Sequence, residues 1–179
     1  MRKLSMEDLN RISVADFKNT KKNPFVIFLD NVRSAHNVGS AFRTGDAFAV
    51  EKLILCGITA TPPNREIAKT ALGATESVVW EYAENSLDAL QKLKAEGYRI
   101  VLMEQAASSV PLQDFPVLAG EKYCFVFGNE VFGVDEKLFP HSDVCVEIPQ
   151  FGTKHSLNVS VSIGIILWEC WRKQAAGAI

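Results

Sequence analysis

Three short polar segments hold most of the residues in this chain that could do chemistry. The first, residues 31–44, carries Ser34, Asn37, Gly39 and Arg43. Ser34 or Asn37 can accept from the orphan amides at a helix start. Gly39 admits close approach of another backbone, and Arg43 has a guanidinium fork suited to a phosphate or a carboxylate. The second segment, residues 127–133, sets Asn129 and Glu130 between Gly128 and Gly133. Two glycines release the backbone for tight turns whose amides can meet a ligand. Glu130 can accept from a ribose hydroxyl, an amine or an arginine. The third runs from Ile148 and Pro149 through Gly152 and His155 to Ser156, Leu157, Asn158 and Ser160. Ser156 or Asn158 can cap the helix that follows, whose amino end offers amides and a partial positive charge.

Several other chemistries are disfavoured. His155 and Ser156 are adjacent, so on an extended stretch their side chains point apart, and no G-x-S-x-G is present to build a hydrolase. Neither G-x-G-x-x-G nor a P-loop occurs, which argues against a usual dinucleotide site or an NTPase. Asp30 ends the first strand as in a receiver domain. No acidic pair precedes it and no lysine ends the strand at 123–127, so it reads as a turn residue. Cys56, Cys124, Cys145 and Cys170 form no CxxC pair, and neither a zinc site nor a disulfide framework is expected. Three of them lie in strand-like runs, where cysteine acts as a small hydrophobe. No metal is expected.

The elements that must position these segments alternate along the chain. Strands are expected at 25–30, 52–56, 77–80, 99–104, 123–127 and 144–148. Helices are expected at 37–49, 86–96 and 158–173, with a short one at 135–139. Ser5 with Asp8 and Ser13 with Asp16 have the spacing of helix starts, giving one or two short helices over 5–20. Strands apolar on both faces and separated by helices call for an α/β fold, a mostly parallel sheet with helices on both faces. In such sheets the ligand lies beyond the carboxyl ends of the strands. The last helix is apolar nearly all round and is expected to be buried, with Ser160 and Gly164 allowing close contact with a sheet or a second subunit.

At 179 residues the chain fits one domain, and 47% hydrophobic with 22% charged residues is the balance of a globular protein rather than a disordered one. No apolar run approaches the roughly 18 residues that would span a bilayer, so no membrane partner and a cytoplasmic location are expected. The formal net charge of -2 gives no global attraction to nucleic acid, so any basic surface must be local. Arg11, Lys18, Lys21 and Lys22, near the N-terminus, form the best candidate.

In this order the three segments resemble the motifs of the SpoU branch of the SPOUT RNA methyltransferases, the tRNA/rRNA 2′-O-methyltransferases also called the TrmH family. The resemblance rests on Asn37, Gly39, Arg43 and Thr44; on Phe127, Gly128, Asn129, Glu130 and Gly133; and on Ile148, Pro149, Gly152, Ser156, Leu157, Asn158, Val159 and Ser160. It covers residues 25–171. It implies a sheet whose C-terminal part is threaded as a deep trefoil knot, a homodimer, and S-adenosylmethionine as the methyl donor. It implies cofactor contacts at Gly128, Asn129, Ile148, Pro149, Ser156 and Leu157. Arg43, Asn37, Glu130, Ser156 and Asn158 would complete the methyl-transfer site. The stretch 62–74, with Arg65 and Lys69, looks like the family's substrate-side loop. On this reading residues 1–24 are a short helical extension and 25–179 the methyltransferase domain. The substrate is a ribose 2′-hydroxyl, foremost in tRNA with a D-loop guanosine favoured, and rRNA as the alternative. A non-catalytic RNA-binding knot protein is the rival, opposed by the joint retention of Arg43, Glu130, Ser156 and Asn158.

Overall fold

Residues 1–5 and 8–176 are described by a computed structural model. Seven strands form one sheet: β1 (Asn23–Asp30), β2 (Val50–Cys56), β3 (Trp80–Ala83), β4 (Tyr98–Met103), β5 (Val110–Pro111), β6 (Lys122–Phe127) and β7 (Val144–Glu147). The order across the sheet is β3-β2-β1-β6-β4-β7-β5, and every neighbouring pair is parallel. Six α-helices accompany it: α1 (Val14–Asn19), α2 (Ala35–Ala47), α3 (Arg65–Ala71), α4 (Ala74–Ser77), α5 (Ser86–Ala95) and α6 (Val159–Ala176).

Strand periodicity explains the two layers of core. Phe25, Ile27 and Leu29 of β1 point into one cluster with Val38, Phe42, Ile67, Ile163 and Leu167 from α2, α3 and α6. Val26 and Phe28 point the other way, to Leu90 and Leu93 of α5 and to Leu138. A strand buried on both faces reads as a continuous apolar run because each alternate side chain has its own helical cover. The four cysteines are buried within these clusters and none is paired. Burial pushes the Cys56 and Cys170 thiols up to about 12, so both stay protonated as core hydrophobes.

Several expected boundaries shift. Residues 74–77 are helix α4 and the neighbouring strand begins only at Trp80, so the strand expected at 77–80 lies later. Helix α3 stands within the stretch 62–74 that resembles the family's substrate-side loop, because Asn64 accepts from the N–H groups of Glu66 and Ile67 and starts a helix directly after two prolines. Strand β5 is two residues long and ends in Pro111, tolerated because it is an edge strand. Ser13 caps α1 as expected, whereas the helix start read at Ser5 runs into residues 6–7, outside the described residues.

Helix α6 departs from the expectation of full burial. Ile163, Ile166, Leu167 and Cys170 are buried, but Val161, Trp168 and Trp171 are exposed. Gly164 lies on that open stripe, where an added Cβ would meet nothing within 4 Å. The apolar circumference therefore reflects one face on the core and a second left open by this chain. At Gly39, by contrast, an added Cβ would lie 2.1 Å from Thr70 Oγ1 and 2.3 Å from Ile67 O, so glycine is what lets α3 seat against α2. No helix among the described residues is long and apolar enough to cross a membrane.

Candidate active site

The site lies beyond the carboxyl ends of β1, β6, β4 and β7, where the three polar segments converge. Strand β1 leaves through Asn31, and Ser34 then caps α2 by accepting from Asn37 N. The helix thus begins at Ala35, two residues before the start expected at Asn37. Arg43 accordingly sits in its third turn. It is roughly 9 Å along the axis and about 120° round from Asn37. Arg43 is exposed, with no hydrogen bond or ion pair to another described residue.

After β6 the chain turns sharply. An added Cβ at Gly128 would fall 2.1 Å from Gly133 C and 2.2 Å from Val134 N, so the loop can close on itself only with glycine there. Asn129 is the loop's internal brace. Its Oδ1 accepts from Val131 N and Phe132 N, and its Nδ2 donates to Asn31 O at 2.8 Å. Its side chain is thereby spent on shaping the loop, although the residue also lines the cavity described below.

The loop presents Glu130 to the amino end of α2. Glu130 Oε2 accepts from Arg33 N at 2.9 Å, and Oε1 accepts from Ser34 N at 3.1 Å and from Asn37 Nδ2 at 2.9 Å. Burial alone would raise the Glu130 pKa, but these donors outweigh it and hold the carboxyl below its ordinary value. Asn37 in turn accepts on Oδ1 from Asn158 Nδ2 at 3.1 Å. Asn158 caps α6, its Oδ1 accepting from Ser160 N at 2.9 Å and from Ser160 Oγ. One directional chain therefore runs from the α6 amino end through Asn158 and Asn37 to Glu130, joining all three segments. The polarity is self-consistent: a carboxylate can only accept, which makes Asn37 Nδ2 the donor and leaves its Oδ1 for Asn158.

Beside this chain is a cavity of about 540 Å³. Of the residues assigned to cofactor contact, Gly128, Asn129, Ile148, Ser156 and Leu157 line it, joined by Glu130 and Asn158. Pro149, Asn37 and Arg43 are not among the lining residues. Pro149 is adjacent to one, and Asn37 acts through Glu130 and Asn158. The Ser156 hydroxyl makes no hydrogen bond to a described residue. Glu104 and Gln105 are among the lining residues that no motif marks. Glu104, immediately after β4, accepts from Val134 N and Gln105 N. Gln105 Nε2 donates to His155 O at 2.7 Å and ties down the loop that bears Ser156. The signal available for both was their place just past the end of a central strand.

The residues assigned to RNA contact are scattered. Arg11, Lys18 and Lys21 are exposed around α1, which packs on α4. Lys22 donates to Phe17 O and lies over the Phe17 ring, so its ammonium is engaged internally. Arg65 is exposed at the start of α3, whereas Lys69 is paired with Glu66 at 2.7 Å. Among the described residues no group of three or more His, Cys, Asp or Glu side chains is placed to hold a metal ion.

The profile of the SpoU rRNA Methylase family matches residues 24–168. The chain belongs to that family. Among its SpoU relatives, a 23S rRNA (guanosine-2′-O-)-methyltransferase of Neisseria meningitidis is 31% identical over 92% of this chain and 65% of its own length. A tRNA (guanosine(18)-2′-O)-methyltransferase of Aquifex aeolicus is 31% identical over 86% of this chain and 72% of its own length. The crystal structure of the Aquifex aeolicus TrmH/SpoU tRNA modifying enzyme superposes with a TM-score of 0.81 at 27% identity, covering 92% of this chain and 84% of that one. An AdoMet-bound rRNA methyltransferase from Sinorhizobium meliloti gives 0.78 at 26% identity, covering 87% of this chain and 59% of that one. The chain thus spans less than two thirds of the length of several SpoU relatives, the Neisseria meningitidis enzyme among them.

Proposed function

We propose that this protein transfers a methyl group from S-adenosylmethionine to a ribose 2′-hydroxyl of RNA. The carrying observation is the Asn158–Asn37–Glu130 chain, which assembles all three family motifs against one cavity. The cavity fits the cofactor. Its volume is within the usual range for a small-molecule site, and its lining combines apolar Phe127, Ile148 and Leu157 with carboxylates from Glu104, Glu130 and Glu147. Such a lining suits a nucleoside that also carries a sulfonium and an ammonium. The backbone at Gly128, Ile148 and Leu157 would hold the adenosine.

The donor supplies an electrophilic methyl with a neutral thioether as leaving group. The protein's part is then to place the ribose oxygen in line and to accommodate its proton. Ser156, with a free hydroxyl in the cavity, and Asn158, at the junction with α2, orient the acceptor. Glu130 positions the α2 amino end. Arg43 binds substrate phosphate and stabilises the ribose oxygen electrostatically, since a guanidinium is too weak an acid to give up its proton and act as a base.

Two structural readings belong with this. We read the C-terminal part as threaded into a trefoil knot, a reading supported by β6 entering between β1 and β4 after the chain has visited the far edge at β5, and by α6 packing on α2. The protein is a homodimer, with the open stripe of Val161, Gly164, Trp168 and Trp171 covered by a second copy. The reading of residues 1–24 as an extension is supported by the short helix α1, whose Phe17 is buried. A guanosine in the tRNA D-loop is the favoured target, by analogy with the Aquifex aeolicus relative. The Neisseria meningitidis relative favours 23S rRNA as the second reading. Calorimetric titration with S-adenosylmethionine, followed by incubation of labelled cofactor with unmodified tRNA and rRNA transcripts, tests the proposal. Binding with transfer to one transcript supports it, and absence of cofactor binding would overturn it.

A further inference from the structure

We propose that Arg33 is a contact for RNA phosphate, held at the mouth of the cofactor cavity by Glu130. The inference rests on the RNA-methylation reading and adds a residue outside the motif positions. It begins from a charge conflict. The charged lining of the cavity consists of Glu104, Glu130 and Glu147, with His155 as the one titratable base. That surface favours a cationic cofactor and disfavours a phosphodiester, and a chain of net charge -2 offers no compensating global field. The RNA backbone therefore needs a cation close to the cavity but outside it.

Arg33 meets this requirement. Its N–H donates to Glu130 Oε2 at 2.9 Å and that of Ser34 donates to Oε1 at 3.1 Å, so its main chain is fixed to a cavity-lining carboxylate. Its side chain is exposed and makes no hydrogen bond or ion pair with another described residue. Glu130 is already supplied with three donors and does not capture the guanidinium. Two neighbouring bases, His36 and Lys69, are engaged: both pair with Glu66, at 2.8 and 2.7 Å. Arg43 stands farther up α2. A guanidinium in this position can take two phosphate oxygens at once, a geometry lysine cannot copy.

The test is filter binding of the transcript that accepts methyl, at several salt concentrations, with wild type, Arg33→Ala and Arg33→Lys. Arg33→Ala is expected to weaken RNA binding about tenfold at low salt and to lower the slope of log affinity against log salt by about 0.7 to 0.9. Arg33→Lys recovers most of the salt slope but less of the affinity. Cofactor affinity and thermal midpoint stay at wild-type values in both. Wild-type RNA affinity and slope in Arg33→Ala, while the wild type methylates that transcript, would overturn the assignment to Arg33 alone. An equal loss of cofactor affinity would make Arg33 structural and would also overturn it. A wild type that neither binds nor methylates RNA would remove the underlying functional reading.

Discussion

Asn158 Nδ2 donates to Asn37 Oδ1 at 3.1 Å, across 121 positions of sequence, and Asn37 passes the polarity on to Glu130. Each amide in this relay uses one donor and one acceptor in a fixed direction. Asn37→Asp would set a second carboxylate against Glu130 and remove one of its three donors. We expect this change to lower turnover at least tenfold and to cost roughly 1–3 kcal/mol of stability, the scale for a lost partner at a charged group. Chemical denaturation together with single-turnover methylation checks it, and Asn37→Ser should be milder on both readouts.

Arg43 acts on the substrate and not on the cofactor. Arg43→Ala is expected to cut turnover by two orders of magnitude or more, on the order of removing one transition-state electrostatic contact. Its Kd for S-adenosylmethionine should stay within a factor of two of wild type, consistent with a position outside the cavity lining. A parallel loss of cofactor binding in calorimetry would assign Arg43 to the scaffold.

Gly128 fixes the shape of the loop that carries Glu130. Gly128→Ala places a methyl within about 2 Å of the Gly133 and Val134 backbone, so the loop must open. Cofactor affinity should fall at least tenfold, and the thermal midpoint should drop by several degrees. Wild-type calorimetry for this variant would contradict the described geometry.

The Glu130 carboxyl has a lowered pKa because its donors outweigh its desolvation. A depressed carboxyl contributes stability that is fully present above its unfolded value, about 4.5, and is lost as pH falls from there through the lower folded value. Glu130→Gln should therefore narrow its stability deficit relative to wild type as acid is added below about pH 4.5. Urea denaturation at pH 7 and pH 3.5 measures the change.

The layered sheet was legible because β1, β4 and β6 are apolar on both faces, which only double helical cover explains. Helix α3 and strand β5 were hidden by prolines: Asn64 restores a helix start after two of them, and Pro111 ends a strand too short for any periodic signal. Glu130 and Asn158 stood out by their place in motifs, but their link through Asn37 depends on contacts 93 and 121 residues apart that no local pattern encodes. Glu104 looked like the end of a strand. Its part in the cavity follows from β7 and β6 flanking β4, an order that the sequence reading did not reach. The open stripe on α6 was misread as buried because an apolar circumference does not say which face this chain itself covers.

The most direct test of the central claim is to let the protein transfer labelled methyl from S-adenosylmethionine to an unmodified tRNA transcript and then hydrolyse the RNA in alkali. A methylated 2′-oxygen cannot attack the adjacent phosphate, so the account predicts label in alkali-resistant dinucleotides, absent when Asn158→Ala replaces the wild type. Label recovered in mononucleotides as a methylated base would contradict it.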